Sequence, residues 1–261
     1  MLLKDKTAII YGGGGSVGGA VARAFAREGA RLFLAGRTVA KLEAVAAEIR
    51  AGGGQAEAAS VDALDQEAVQ AHLATVAEKG GPVKLMFNAI DWGDTQGEAL
   101  IDMQLERFFA PISTALQAWF VTGTAAARHM SQHGGGTIIG ITANAGREPY
   151  AMVGGFGVAC AAVEHFLRQL AVETGPAGVR VCFVRSAGSP DASGVREAFK
   201  LRAAEAGISF DEVMRDAGSG SPLRRLPWLA EVADAAVLLA SDYARGMTAT
   251  LANVTCGAQV D

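Results

Sequence analysis

The chain has 261 residues, half of them hydrophobic, and a formal net charge of −4 at pH 7. That length suits one α/β domain, so we expect residues 1–261 to form a single domain. The negative charge gives no electrostatic reason to bind nucleic acid or an anionic membrane. No apolar run approaches the length needed to cross a bilayer, and the residues before the first strand pattern leave no room for a leader. The three cysteines are far apart, which favours reduced thiols over a disulfide or a metal site. We therefore expect a cytoplasmic protein.

Short apolar runs alternate with helical patterns along the chain. The apolar runs predict buried strands at 7–11, 31–35, 84–88, 137–142 and 179–184, with a weaker strand at 55–60. Helical patterns lie between them, and Thr38 is a candidate cap for the second helix. The alternation predicts an α/β fold: a Rossmann-like, doubly wound parallel sheet with helices on both faces. Segment 189–222 holds two short helical patterns among Gly, Ser and Pro, and we interpret it as a mobile cover over substrate.

A glycine-rich stretch, YGGGGSVGGA, follows the first strand pattern. Gly13, Gly15 and Gly18 have the GxGxxG spacing, and a helix follows at once. Glycines at such a turn let the backbone approach a pyrophosphate, and the free amides of the helix point at it. The alternative is a merely flexible turn, but the position at the first strand-to-helix junction favours dinucleotide binding.

The ends of the next two strands bear on which dinucleotide is bound. AGRT at 35–38 presents Arg37 and no carboxylate. A guanidinium can grip a ribose 2′-phosphate, so this position favours NADP(H) over NAD, the alternative being a solvated surface charge. Asp62, after the third strand, either accepts a hydrogen bond from the adenine amino group or caps the helix that follows.

These motifs resemble those of the short-chain dehydrogenase/reductase family over nearly the whole chain. The family's Thr-Gly-x-x-x-Gly-x-Gly pattern is matched from Tyr11 to Gly18, and its Asn-Ala-Gly after the fourth strand is matched by 88–90, where Ile90 replaces a glycine close to the cofactor ribose. Segments 222–242 and 247–257 resemble the family's closing helix and last strand. The implied cofactor-binding residues are Gly12, Gly13, Gly15, Ser16, Val17, Gly18, Arg37, Asp62, Ala63 and Asn88.

The same resemblance implies four catalytic positions, and this chain replaces the family residue at all four. Where the family has Ser, Tyr, Lys and Asn, the aligned residues are Ala143, Phe156, Cys160 and Ala115. Phe has no hydroxyl proton, and Cys carries no fixed positive charge at neutral pH. Because loss of one general acid costs about 10²–10⁴ in rate, ordinary ketone reduction through Tyr and Lys is not expected.

Other residues are candidates to supply the missing chemistry. Tyr150 lies between the Ser and Tyr positions, and it is either a substitute proton donor or a surface loop aromatic. Cys160 is either a nucleophile or a small core residue. Arg185 and Asp191 follow the sixth strand and are candidates to hold an anionic substrate, whereas the aspartates at 91 and 94 follow the fourth strand, where such residues more often cap turns.

Three functions remain open. The first is an NADP(H)-dependent oxidoreductase with a substitute donor and a small, hydrophobic substrate. The second is an isomerase, lyase or cyclase on the same scaffold, and the third is a catalytically inactive cofactor-binding pseudoenzyme. Two helical patterns, STALQAWFVTGTAAARHM and FGVACAAVEHFLRQLAVE, are apolar or small around most of their circumference. The family pairs these helices between subunits, so we expect a homodimer or homotetramer.

Overall fold

The computed structural model describes residues 1–93 and 97–260. All seven of its strands are parallel to their neighbours in one sheet, in the order β3-β2-β1-β4-β5-β6-β7. The order reverses at β1 and β4, as in a doubly wound fold. The Rossmann-like sheet predicted from the alternating pattern is therefore confirmed, including the weak strand at 55–60. The strands are β1 (Thr7–Tyr11), β2 (Arg31–Gly36), β3 (Gln55–Ser60), β4 (Val83–Asn88), β5 (Gly136–Ala143), β6 (Val179–Ser186) and β7 (Thr250–Val254).

Helices cover both faces of this sheet. One layer contains α3, α4 and α5, and the other contains α1, α2 and α8. None of the helices in the described part of the chain is long and apolar enough to cross a bilayer. The helices are α1 (Ser16–Arg27), α2 (Val39–Ala51), α3 (Gln66–Gly80), α4 (Leu105–Gln132), α5 (Phe156–Thr174), α6 (Ser193–Ala206), α7 (Phe210–Ser219) and α8 (Leu229–Ala240).

The strands are apolar at successive positions because each strand is buried on both sides. In β1, Ile9 and Tyr11 point into the layer of α3, α4 and α5, whereas Ala8 and Ile10 point into the other layer. A parallel sheet with helices on both faces requires this pattern, since no side of a central strand meets water. The two layers thus hold the carboxyl ends of the strands in a fixed array.

Helix caps differ in part from the sequence prediction. Thr38 is the N-cap residue of α2, but its side chain makes no capping hydrogen bond. The cap of α3 is Asp65, whose carboxylate accepts from the amides of Glu67 and Ala68 at 2.9 and 3.1 Å. The alternative in which Asp62 caps α3 is therefore wrong: Asp62 accepts from the Leu64 amide and stabilises the turn before the helix.

Segment 189–222 forms a small unit of its own after β6. Its two predicted helices are present as α6 and α7. They pack through Phe199, Ala203 and Val213 against Leu226. Since β6 ends at the same edge of the sheet as β1 and β4, this unit begins beside the crevice where ligands bind in such folds.

Candidate active site

A cavity of about 260 Å³ opens at the carboxyl edge of the sheet, on the side of β1, β2 and β3. Of the residues predicted to bind cofactor, Gly12, Gly15, Arg37, Asp62 and Ala63 line this cavity. Gly13 packs beneath the loop against Leu34, and the first turn of α1 contains Ser16, Val17 and Gly18. The residues predicted from the sequence thus divide into those that line this cavity and those that shape the loop and helix beside it.

At two positions around the junction of β1 and α1, neighbouring backbone lies so close that only glycine fits. Gly12 has φ +74°, and a side chain there would overlap the carbonyl of Ala89. A side chain at Gly18 would overlap the carbonyl of Gly12 in the same way. α1 then begins with Gly15 as N-cap and no side-chain cap, so its first amides remain available to a ligand. Such a loop and helix end fit a diphosphate.

Positive groups gather at the outer end of the cavity, where α2 begins. Arg37, Thr38 and Lys41 are exposed and line it. α2 has no acidic residue in its first turn, and the Thr38 hydroxyl makes no capping bond. Lys41 lies four residues after Arg37 and over the glycine loop, where a Cβ added to Gly14 would lie 2.9 Å from the Cβ of Lys41. Sequence reasoning missed Lys41, because the sequence pattern does not show that the first turn of α2 lies over the glycine loop.

Asn88 stabilises the loop after β4 through hydrogen bonds and does not line the cavity. It is buried, its side-chain amide donates to the Thr122 hydroxyl at 2.9 Å, and its oxygen accepts from the Ile90 amide at 3.0 Å. These bonds tie the end of β4 to α4. They also hold Ile90, the replacement for the family's glycine, against the cavity.

Tyr11 forms part of the cavity floor and was not predicted to do so. Its ring meets that of His72 edge-on at 6.2 Å, and its hydroxyl has no hydrogen-bond partner among the described residues. Burial raises the pKa of this phenol well above its ordinary value. Tyr11 therefore stays protonated and serves as an apolar support for whatever lies above it.

The four replaced catalytic positions lie on the other side of β4. Ala143 ends β5, Phe156 begins α5, and the ring of Phe156 lies 6.1 Å from that of Trp92. Cys160 and Ala115 are both fully buried in the hydrophobic core. The structure thus brings an aromatic pair and small apolar groups to the positions that the sequence resemblance aligns with the family's Ser, Tyr, Lys and Asn.

Tyr150 lies at the edge of this region. Its side chain is 46% exposed, and its hydroxyl accepts a hydrogen bond of 2.6 Å from the side-chain amide of Asn144, the residue after Ala143. Partial burial and the nearby Glu148 raise the pKa of Tyr150, while the Asn144 bond opposes them. The phenol is therefore protonated at neutral pH, and because its oxygen is the acceptor toward Asn144, its own proton can go to another group.

The groups considered for anion binding are engaged elsewhere. Arg185 is buried and forms a two-bond ion pair with Glu164 at 2.6 and 3.1 Å. Asp191 accepts from the Leu229 amide at the start of α8. Asp91 lines the cavity and accepts from the Gly93 amide, whereas residue 94 lies outside the described residues. The side chain of Arg185 is thus already neutralised by a partner.

The chain resembles known proteins over almost its full length. The family profile described as Enoyl-(Acyl carrier protein) reductase matches residues 13–259. An uncharacterized oxidoreductase of Mycobacterium tuberculosis is 32% identical over 98% of this chain and 92% of its own length. L-rhamnose 1-dehydrogenase (NAD(P)(+)) of Azotobacter vinelandii is 31% identical over 95% of this chain and 94% of its own.

A solved structure agrees with these sequence matches. The 7α-hydroxysteroid dehydrogenase complexed with NADH and 7-oxo glycochenodeoxycholic acid superposes with a TM-score of 0.86 at 25% identity, covering 98% of this chain and 94% of that one. The same family is indicated by the glycine loop at the β1–α1 junction, by the crevice where the strand order reverses and by the match over the full length of the chain. The chain belongs to the short-chain dehydrogenase/reductase family of oxidoreductases.

Proposed function

We propose that this protein is an NADP(H)-dependent oxidoreductase with an atypical active site, in which Tyr150 supplies the proton that the usual tyrosine no longer can. The observation that carries the proposal is the pairing of a cavity beside the glycine loop with Tyr150 held by Asn144 next to Ala143. The proposal concerns a small, neutral and hydrophobic substrate. It does not include the family's ordinary Tyr-Lys ketone reduction.

The preference for NADP(H) is supported by charge at the outer end of the cavity. Arg37 and Lys41 extend from the end of β2 and the first turn of α2, where a ribose 2′-phosphate needs cations. The helix end adds free amides, and Thr38 adds a hydroxyl that makes no cap bond. The relatives' names mention NAD(P)(+) and NADH, so the preference rests on these residues alone.

The substrate class is supported by what surrounds the replaced positions. Trp92 and Phe156 offer aromatic surface, while Ala143 offers only a methyl group. Arg185, the nearest buried cation, is already neutralised by Glu164. An uncharged substrate avoids leaving an unpaired charge in these surroundings.

The chain's own groups would act as follows. Bound NADPH supplies a hydride. Tyr150 donates its phenolic proton to the oxygen or carbon that gains negative charge, and Asn144 holds the phenol oxygen and stabilises the phenolate that results. The raised pKa of Tyr150 makes it a weak acid, so a conjugated alkene, including one in an enoyl thioester, suits it better than a simple ketone. The enolate that hydride addition to such an alkene would form can also take its proton from water.

Two measurements test the proposal. NADPH and NADH binding are followed by nucleotide fluorescence in the wild type and in Arg37→Ala, with Arg27→Ala, an exposed arginine on α1, as the matched control. We expect the wild type to prefer NADPH and Arg37→Ala to lose at least tenfold in NADPH affinity with little change for NADH. Oxidation of bound NADPH by a panel of ketones, enones and acyl thioesters is then compared in the wild type, Tyr150→Phe and Tyr243→Phe.

Each outcome selects among the candidate functions. Turnover that Tyr150→Phe lowers at least about a hundredfold and Tyr243→Phe preserves supports the proposal. Turnover at the wild-type rate in Tyr150→Phe overturns the role of Tyr150. Tight NADPH binding with no turnover on the whole panel favours the pseudoenzyme, which the four replaced positions support. Absence of NADPH and NADH binding favours a non-redox isomerase, lyase or cyclase.

We also propose that the chain forms a homodimer or homotetramer through α4 and α5. Large apolar side chains are exposed on both helices, including Phe109 and Phe120 on α4 and Val158 and Val172 on α5. Large apolar side chains exposed on two neighbouring helices support a subunit interface there.

A further inference from the structure

A row of polar side chains crosses three neighbouring strands below the replaced catalytic positions. Strand register pairs Thr142 of β5 with Arg185 of β6, and Arg185 with Asn253 of β7. Arg185 lies on the same side of β6 as Val181 and Phe183, which belong to the hydrophobic core beneath α5. The row therefore interrupts an otherwise apolar face, and a buried polar group must find partners there.

The central partner is Glu164, which extends from α5 one turn beyond Cys160. Its carboxylate accepts from the Thr142 hydroxyl at 3.0 Å and from two guanidinium nitrogens of Arg185 at 3.1 and 2.6 Å. Both charged side chains are only 3% exposed. A buried ion pair of this kind is maintained when further hydrogen bonds satisfy its remaining groups.

Gln259, in the segment after β7, supplies one of those further bonds. Its side-chain oxygen accepts from Arg185 at 3.2 Å, and its side-chain nitrogen donates to the carbonyl of Asn144 at 2.9 Å. Its backbone is held as well, because the carbonyl accepts from Asn253 at 3.0 Å and the amide donates to Thr255 at 3.2 Å. Gln259 is 3% exposed, so these bonds are shielded from water.

Asn144 is the point at which this network reaches the candidate proton donor. Its carbonyl is held by Gln259, and its side-chain amide donates to the Tyr150 hydroxyl at 2.6 Å. Hydrogen bonds therefore run without a break from Glu164 through Arg185, Gln259 and Asn144 to Tyr150. The links span strand β6, the segment after β7 and the short 3₁₀ turn at Asn144–Gly146.

We infer that Gln259 is a positioning residue that fixes the turn at Asn144 and, through it, the hydroxyl of Tyr150. The role of Tyr150 in this inference rests on the proposed function. The amide side chain serves both contacts, because its oxygen accepts from Arg185 and its nitrogen donates to the Asn144 carbonyl. Glutamate keeps the first bond and loses the second, whereas leucine loses both.

The first test does not depend on activity. Hydrogen exchange of peptides covering 143–150 is measured in the wild type, Gln259→Glu, Gln259→Leu and Val260→Ala, whose exposed side chain makes it the matched control. We expect both Gln259 variants to exchange at least tenfold faster at 143–150, and the control to match the wild type. Unchanged exchange in both Gln259 variants overturns the inference, whatever the protein's activity.

The second test uses turnover and separates positioning from general stability. We expect Gln259→Glu to lower kcat at least tenfold with less than a twofold change in KM for NADPH. In a Tyr150→Phe background the same substitution should have no further effect on residual turnover, because the group it positions is already gone. An equal loss in both backgrounds overturns the inference. If exchange accelerates but no substrate is ever turned over, the proposed function fails while the mechanical link from Gln259 to Asn144 stands.

Discussion

The hydroxyls of Ser16 and Ser193 lie 3.0 Å apart, and the Ser193 amide donates to the Ser16 oxygen at 3.1 Å. Ser16 begins α1 at the glycine loop, whereas Ser193 begins α6 in segment 189–222, which we interpret as a cover over substrate. Two helix N-termini therefore meet at the point where a diphosphate fits. The cover is joined directly to the cofactor loop, so its opening has to break these bonds.

The Ser16–Ser193 contact should restrain the cover. Each exposed hydrogen bond is worth about 0.5–1.5 kcal/mol, so Ser193→Ala and Ser16→Ala should raise the rate of proteolytic cleavage within 193–219 by about two- to tenfold. Limited proteolysis with mass spectrometry measures this rate. Ser219→Ala, which removes only a bond within α7, is the control. Equal cleavage rates in all four proteins would show that the cover is held by other contacts.

The Glu164–Arg185 pair should be costly to break. Glu164→Gln removes the buried negative charge that Arg185 contacts through two hydrogen bonds, and we expect the free energy of unfolding to fall by about 3–5 kcal/mol. Urea denaturation measures the change. Glu197→Gln removes an exposed partner of Lys200 and should cost less than about 1 kcal/mol. A loss of similar size in both variants would contradict the importance of burial here.

Acid should destabilise the protein through His72. Burial, and secondarily the charge of Lys79, lower the pKa of His72 from 6.5 to about 4. The unfolded chain therefore takes up a proton at His72 below pH 6.5 while the folded chain does so only near pH 4, and stability falls between these values by about 3 kcal/mol.

Urea denaturation at pH 7 and pH 4.5 checks the His72 prediction. His72→Leu should show a smaller loss of stability between the two pH values than the wild type. Replacement of the exposed His165 by Gln should leave the loss unchanged. If His72→Leu keeps the full acid sensitivity, the proton uptake occurs elsewhere.

Subunit association through α4 and α5 should be sensitive to charge. Phe120 is 57% exposed on α4 and contacts Phe166 of α5 with ring centres 6.4 Å apart. Phe120→Glu should shift the protein to a smaller species in light scattering coupled to size exclusion, because a buried carboxylate at an interface is unpaired. Tyr243→Glu changes an equally apolar exposed site outside these helices and should leave the mass unchanged. A wild-type monomer at micromolar concentration would end this proposal.

The order of strands and helices could be predicted from the sequence because both faces of the sheet are buried. Runs such as VRVCFV show that burial directly, and the predicted strands agree with β1 to β6 to within two residues at each end. Caps were harder to assign. Two aspartates in VDALDQEA are spaced to stabilise the start of α3, and only the backbone path after β3 selects Asp65 over Asp62.

The candidate site was predictable where one motif contains it, and less so where distant segments meet. The glycine loop and Arg37 directly follow β1 and β2, two strands that the alternation of apolar runs and helical patterns identifies. The pairing of Arg185 with Glu164, 21 residues away, depends on the register of β5 with β6 and on the rotation of α5, neither of which is encoded locally. The same holds for the contacts of Ser193 with Ser16 and of Gln259 with Asn144, each of which joins residues more than 100 positions apart in sequence.

The reversal of strand order at β1 and β4 divides the crevice between two sets of strands. Loops after β1, β2 and β3 line most of the cavity proposed for the nucleotide, while β5 and β6 lead into the half where chemistry would occur. The two halves are built largely from the loops of different strands. A protein built in this way can therefore acquire substitutions in the half where chemistry would occur and still keep the loops of the other half. Such a division gives a route to new reactions, or to a protein that senses a nucleotide without chemistry.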